Sequence, residues 1–166
     1  MLRYGLVIAA VCTALDQASK WWLMGVLERA GGPIELLPFF NLVMVWNPGV
    51  SFGMFQSGET GRWLLVLFST LVCLGMAIWL WRQNKFWPGL ALGAVIGGAL
   101  GNIIDRIWRG AVADFFDFHM FGYHWPAFNV ADSAITIGVA MLLYDSFRKP
   151  ADGAAGLTKD DDVKGG

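Results

Sequence analysis

Carboxylates and amides are the only side chains in this sequence whose types and placement suggest chemistry. Asp114 and Asp117 lie in a stretch between two apolar runs, and Asp132 lies inside the run that follows. Asn129, Asp132 and Thr136 are spaced i, i+3 and i+7, so a helix would put them on one face. Asn102, Asp105 and Arg106 crowd the end of a third run, and Asp16 stands one helical turn before Lys20 in the first. Two carboxylates brought close together cannot both ionise, so they share a proton. One can then act as a general base on water while the other donates to a carbonyl oxygen. A carboxylate inside a membrane helix is costly unless paired or protonated, and structural and functional readings of Asp132 both fit that cost. For Asp16 and Lys20 a structural reading fits better: a polar pair that fixes a helix or ties down a loop.

Other chemistries lack their parts. There is no Gly-x-Ser-x-Gly elbow, no P-loop and no dinucleotide fingerprint. Cys12 and Cys73 sit in apolar stretches and read as buried thiols. His119 and His124, i and i+5 in an aromatic stretch, suit interfacial anchoring better than zinc. No metal or cofactor is expected.

The elements that must position these groups are membrane helices. The chain is 56% hydrophobic and only 15% charged, with a mean hydropathy of +0.52. That charge content is well below the ~25% usual in soluble domains. A net charge of −1 with no basic field argues against nucleic acid as a partner. Apolar runs extend over about Tyr4–Leu27, Trp63–Trp81, Phe86–Ile104 and Ala127–Tyr144. The second and third match the ~20 residues a span needs. The first and fourth fit if their polar residues face other helices or the interface. The first lacks a small-x-small cleavage site, so it reads as an uncleaved span. Pro126 suits the first turn of the fourth helix.

Gly89, Gly93, Gly97 and Gly101 recur every four residues with Ala94 and Gly98 beside them, a ladder that lets another helix approach closely. Helices two and three are joined by a short connection near Arg82–Lys85 and should be antiparallel neighbours. Residues 28–62 form a long connection with a strand or two over Phe39–Trp46, giving a small extracytoplasmic sheet. Residues 107–125 form a second connection, a loop holding Asp114.

Positive charges near the spans divide five against five: Arg3, Arg82, Lys85, Arg148 and Lys149 face Lys20, Arg29, Arg62, Arg106 and Arg109. Lys20 and Arg106 adjoin acids, so the first set is the freer one, and both termini are expected in the cytoplasm. Residues 1–149 make one membrane domain; 150–166, with its Asp160-Asp161-Asp162 run, reads as a disordered cytoplasmic tail.

Four stretches give the chain a resemblance to the lipoprotein signal peptidases (signal peptidase II). They are Leu15-Asp16-Gln17-Ala18-Ser19-Lys20; Asn47-Pro48-Gly49-Val50-Ser51-Phe52-Gly53; Gly97 through Arg106 continuing to Val112-Ala113-Asp114-Phe115; and Phe128-Asn129-Val130-Ala131-Asp132-Ser133. Pro48 and Ala113 depart slightly from the commonest family text. The resemblance implies an integral membrane α-helical fold of four transmembrane helices and an aspartic endopeptidase with Asp114 and Asp132 catalytic. It further implies that Asn47 and Gly49 lie near the substrate backbone, that Asn102, Arg106 and Asn129 line or brace the site, and that Asp16 and Lys20 form the pair at the end of helix one. It offers no catalytic counterpart for Asp117. The implied substrate is a bacterial prolipoprotein, cut just before a diacylglyceryl-modified cysteine at the outer face of the inner membrane. Aromatic loops including Phe39, Phe40, Trp46, Phe52 and Phe55 would rest on membrane lipids and cover the substrate. A monomer is expected. A proton-coupled carrier and a non-catalytic membrane scaffold are the alternatives.

Overall fold

The computed structural model describes residues 1–49 and 58–148. Within them the chain runs α1 (Leu2–Ala30), β1 (Ile34–Leu37), β2 (Phe40–Asn47), α2 (Gly58–Arg82), α3 (Phe86–Arg109), β3 (Val112–Met120), β4 (Tyr123–His124) and α4 (Val130–Arg148). The four helices form the membrane part, and the strands form one small antiparallel sheet in the order β1-β2-β3-β4.

Three helices, α2, α3 and α4, are long and apolar enough by composition alone to cross a membrane. Helix α1 has the length, at 29 residues, but Asp16 and Lys20 dilute its apolar character. Its polar residues face inward: Asp16 and Lys20 are wholly buried, while Leu6, Val7, Val11 and Leu15 are exposed on its outer side. The last turns of α1 leave the bundle and support the sheet, where Leu23 and Leu27 pack with Leu42 and Phe115.

Helix α3 is central. It packs on α1, α2 and α4, and most of its span is buried. The small residues make that possible. A methyl group on Gly93 would strike the backbone of Gly5, and one on Gly97 would lie 2.5 Å from the carbonyl oxygen of Ala9. Gly98 meets the backbone of Ala131 on α4, and Gly101 meets the carboxylate of Asp16. Gly89 has only ordinary contact, with Met1 Cβ at 3.6 Å, so the tight ladder begins at Gly93. Exposed Trp81, Trp87, Tyr144 and Phe147 ring one end of the bundle, and Trp22, Trp63, Trp108 and Trp125 the sheet end, as amphipathic rings do at the two interfaces.

Two sequence expectations need correction. The stretch 107–125 is no loop: α3 continues to Arg109, Gly110 turns the chain with a φ of 82°, and β3 then pairs with β2. Asp114 therefore sits in a strand, opposite Val45. The alternation that marks a strand is missing because β3 is covered on both faces along its first four residues. Helix α4 does not start at Pro126. Residues before it still belong to the sheet, with Phe128 bridging Phe116, and the helix begins at Val130. Asp132 thus lies in the first turn of α4. The second half of the Asn47–Gly53 stretch, with Phe52 and Phe55, and the tail 150–166 lie outside the described residues.

The ladder makes a prediction. Gly97→Leu should prevent α1 from docking on α3, with a loss of at least the 1–3 kcal/mol typical of overpacking, whereas Gly89→Ala should be tolerated. Thermal unfolding of both variants in detergent checks this; equal midpoints would refute it.

Candidate active site

The site forms where α1, α3, the start of β3 and the start of α4 converge. Its foundation is the ammonium of Lys20. This group, fully buried, lies 2.8 Å from Asp16 Oδ2 and 2.7 Å from Asp105 Oδ2 and donates to Asn102 Oδ1 at 3.1 Å. An ammonium has three protons and no acceptor, so its hydrogen-bonding capacity is filled by these three oxygens.

Each partner then holds another element. Asp16 Oδ1 accepts the backbone N–H of Ala131 at 2.9 Å, so a residue of α1 caps the first turn of α4. Asp105 Oδ2 accepts the backbone N–H of Ala113 at 3.3 Å, tying the start of β3 to the end of α3. Asp105 Oδ1 is paired with Arg109. The Gln17 amide nitrogen lies 3.1 Å from Asp105 Oδ1, Asp16 Oδ2 and the Gly101 carbonyl oxygen.

Above this layer lie the two carboxylates. Helix α4 opens with a reciprocal cap: Asp132 N donates to Asn129 Oδ1 at 2.9 Å, and Asn129 N donates to Asp132 Oδ2 at 3.3 Å. The Asn129 side-chain nitrogen donates in turn to Asp114 Oδ1 at 2.6 Å. One residue therefore serves both carboxylates, Asp132 through its backbone and Asp114 through its side chain. Asn102 Nδ2 donates to Asp132 Oδ1 at 2.8 Å, and Asn47 Nδ2 donates to Asp114 Oδ2 at 3.1 Å. Asn47 Oδ1 accepts the Gly49 N–H at 3.1 Å, fixing the turn that leaves β2.

Arg106 donates to the Asn102 carbonyl oxygen at 3.3 Å, and its charge acts on Asp132, Asp114 and Asp105. Its Nε is buried without a partner. The Asp114 carboxyl is pushed up to about 6, first by burial and further by the charge of Asp132, against the hydrogen bonds of Asn47 and Asn129.

The candidates named from sequence thus fall in one connected network: Asp16, Lys20, Asn47, Gly49, Asn102, Arg106, Asp114, Asn129 and Asp132. Asp117 does not join it. It points from the other face of β3, three residues on, and binds Asn41 Nδ2 at 3.2 Å and His124 Nδ1 at 2.9 Å. Burial would raise its carboxyl, but the hydrogen bonds from His124 and Asn41 outweigh that and hold it below the ordinary carboxylate range. His119 stacks on His124 with ring centres 4.9 Å apart, and it lines, with Phe39, Phe118 and Trp125, a hollow that contains neither Asp114 nor Asp132. Sequence reasoning assigned no role to Gln17, Asp105 and Arg109. Gln17 and Asp105 stand inside stretches already singled out, next to Asp16 and Arg106, and that adjacency was the available signal.

A sequence profile described as Signal peptidase (SPase) II matches residues 8–148. The chain belongs to the signal peptidase II family. It is 48% identical over 145 residues to a lipoprotein signal peptidase of Beijerinckia indica, covering 86% of this chain and 87% of the relative. The corresponding protein of Caulobacter vibrioides is 46% identical, covering 84% of each chain. A bacterial membrane enzyme solved by the in meso method at 2.3 Å superposes with a TM-score of 0.73 at 27% identity, covering 96% of this chain and 94% of that one. The family's peptidases remove signal peptides from prolipoproteins, and membership displaces the carrier and scaffold alternatives. The chain is accordingly a bacterial membrane protein and a peptidase.

Removing the Lys20 charge would leave Asp16 and Asp105 buried without their counter-ion, so Lys20→Met should cost about 3–5 kcal/mol. It should show as a sharp fall in detergent-stable yield and unfolding temperature. An unchanged midpoint would mean that the cluster contributes nothing to stability.

Proposed function

We propose that this chain is an aspartic endopeptidase that cleaves diacylglyceryl-modified prolipoproteins just before the lipidated cysteine, with Asp114 and Asp132 as the catalytic pair. The observation that carries the reading is the double service of Asn129, which donates to both carboxylates from one residue. It joins an acid from a strand to an acid from a helix in a single site, as a water-activating dyad requires. Asp114 is almost wholly buried and Asp132 partly exposed, so water would approach from the side of Asp132.

The dyad lies at the sheet end of the bundle, where the scissile bond can meet water while acyl chains remain among the exposed apolar faces of the helices. In this reading the signal peptide lies as a helix against the spans. Asn47 and Gly49 sit near the substrate backbone, and Asn102, Arg106 and Asn129 line the site. Phe39 and Trp46, both about half exposed, would rest on lipid beside the substrate. Both termini would be cytoplasmic and the dyad near the outer face. At the sheet end Lys20 is neutralised by Asp16 and Asp105, Arg109 by Asp105, and Arg62 pairs with Glu59 at 3.0 Å. Arg29 is the exposed exception at the sheet end, and otherwise the positive-inside preference favours the opposite end. A monomer suffices, because the lipid-facing sides of α2 and α4 are apolar along their length.

The test is cleavage of a diacylglyceryl-modified prolipoprotein by purified wild type and three amide variants. Asp114→Asn and Asp132→Asn should each lose at least ~10²–10⁴-fold in kcat while keeping the wild-type unfolding midpoint, and Asp117→Asn should still cut. Cleavage by Asp114→Asn at the wild-type rate would remove that residue from the dyad.

A further inference from the structure

The two carboxylates are held differently, and the difference assigns their roles. This step rests on the aspartic peptidase reading and adds to it the resting position of the shared proton.

Asp132 sits in the first turn of α4, where the free N–H groups of a helix favour negative charge. It accepts the backbone N–H of Asn129 and the side-chain amide of Asn102, and it is partly exposed to solvent. Asp114 is only 2% exposed, in a strand that supplies no such dipole. Its two donors are neutral side-chain amides, Asn47 and Asn129.

The charged groups around the pair come from α1 and α3. Arg106 of α3 acts on Asp132 more strongly than on Asp114. Lys20 of α1 also acts on Asp114, but it is already matched by Asp16 and Asp105. Asp105 and Asp16 add negative charge from α3 and α1, each spent on Lys20. From β2 comes only the neutral Asn47.

The donor to Asp132 is also fixed in direction. Asn102 Oδ1 faces the Lys20 ammonium, which can only donate. The Asn102 amide cannot flip without setting its NH2 against that cation, so its nitrogen must point at Asp132.

We propose that Asp132 is the resting carboxylate and general base, that Asp114 is the protonated partner and general acid, and that Asn102, oriented by Lys20, is the positioning residue that keeps Asp132 charged. In the forward step Asp132 takes a proton from water as the water oxygen bonds to the scissile carbonyl carbon. Asp114 gives its proton to the carbonyl oxygen, forming a neutral gem-diol. In the second step Asp132 returns its proton to the leaving nitrogen, Asp114 recovers one from a diol hydroxyl, and the C–N bond breaks. Both carboxyls end as they began. The raised Asp114 carboxyl agrees with this order.

The pH profile of kcat/KM tests it. The acid limb reports the base losing its proton and the alkaline limb reports the acid losing its own. Removing an amide donor destabilises the carboxylate it served and raises that group's pKa. Asn102→Ala should move the acid limb up by about one pH unit and leave the alkaline limb in place. Asn47→Ala should move the alkaline limb up instead. KM should change less than kcat in Asn102→Ala. Exchanged or unmoved limbs overturn the assignment while leaving the peptidase reading intact; a wild type that cuts no lipidated substrate overturns both. Infrared spectra of folded, inactive variants give a second reading should Asn102→Ala fail to fold. At pH 5 the protonated-carboxyl band should vanish in Asp114→Asn and persist in Asp132→Asn, and the reverse pattern overturns the assignment.

Discussion

The buried ammonium of Lys20 is the constraint on which the rest of the structure depends. A cation taken out of water costs several kcal/mol, and that cost is met only when its protons and the lone pairs around it are satisfied together. Here they are, by Asp16 from the same helix and by Asp105 and Asn102 from α3. The oxygens left over do not stay idle. Asp16 reaches the first turn of α4 through Ala131, and Asp105 reaches the start of β3 through Ala113. A single charge therefore sets the relative positions of three helices and a strand. The glycines of α3 are part of the same arrangement: Gly101 leaves room for the Asp16 carboxylate, where any side chain would displace it.

Direction passes upward from this layer through amides. An amide has a donor end and an acceptor end, and a partner that can only donate fixes which end it meets. Lys20 fixes Asn102 in this way, and the backbone N–H of Asp132 fixes Asn129. The other end of each amide then presents N–H groups to a carboxylate, Asn102 to Asp132 and Asn129 to Asp114. The site is thus set by hydrogen-bond polarity as well as by packing.

Much of this was legible in the sequence, and the parts that were not share a physical cause. Apolar runs marked the helices because lipid demands them, and the glycine recurrence from Gly93 to Gly101 marked the face of α3 that meets α1. The strand β3 was hidden because alternation appears only when one face of a strand is wet. Phe115 is buried as fully as its neighbours Ala113 and Asp114, so the period of two is lost. The start of α4 was misplaced because Pro126 is a local signal, whereas the extended segment through Phe128 is held by β3, far away in sequence. The Asn129–Asp132 spacing was read as a shared helical face when it is a reciprocal cap. Gln17 went unassigned because its partner Asp105 lies 88 residues away and only the folded bundle brings them together, whereas Arg109, one helical turn after Asp105, was within reach of the sequence.

The positions of Asp114 and Asp132 follow from what surrounds them. A peptidase whose substrate stays in the bilayer must bring water to a bond beside lipid without wetting the bundle. The charged centre beneath the two carboxylates is dry, with Asp16, Lys20 and Asp105 wholly buried, as is Asn129 beside them. Asp16, Lys20 and Asp105 are already paired with one another. Asp132, above them, is partly exposed. The junction of sheet and helix supplies both conditions at once: the interior strand β3 brings Asp114 in from the dry side, and a helix N-terminus brings Asp132 in from the wet side. Neither element alone offers two carboxylates in such different surroundings.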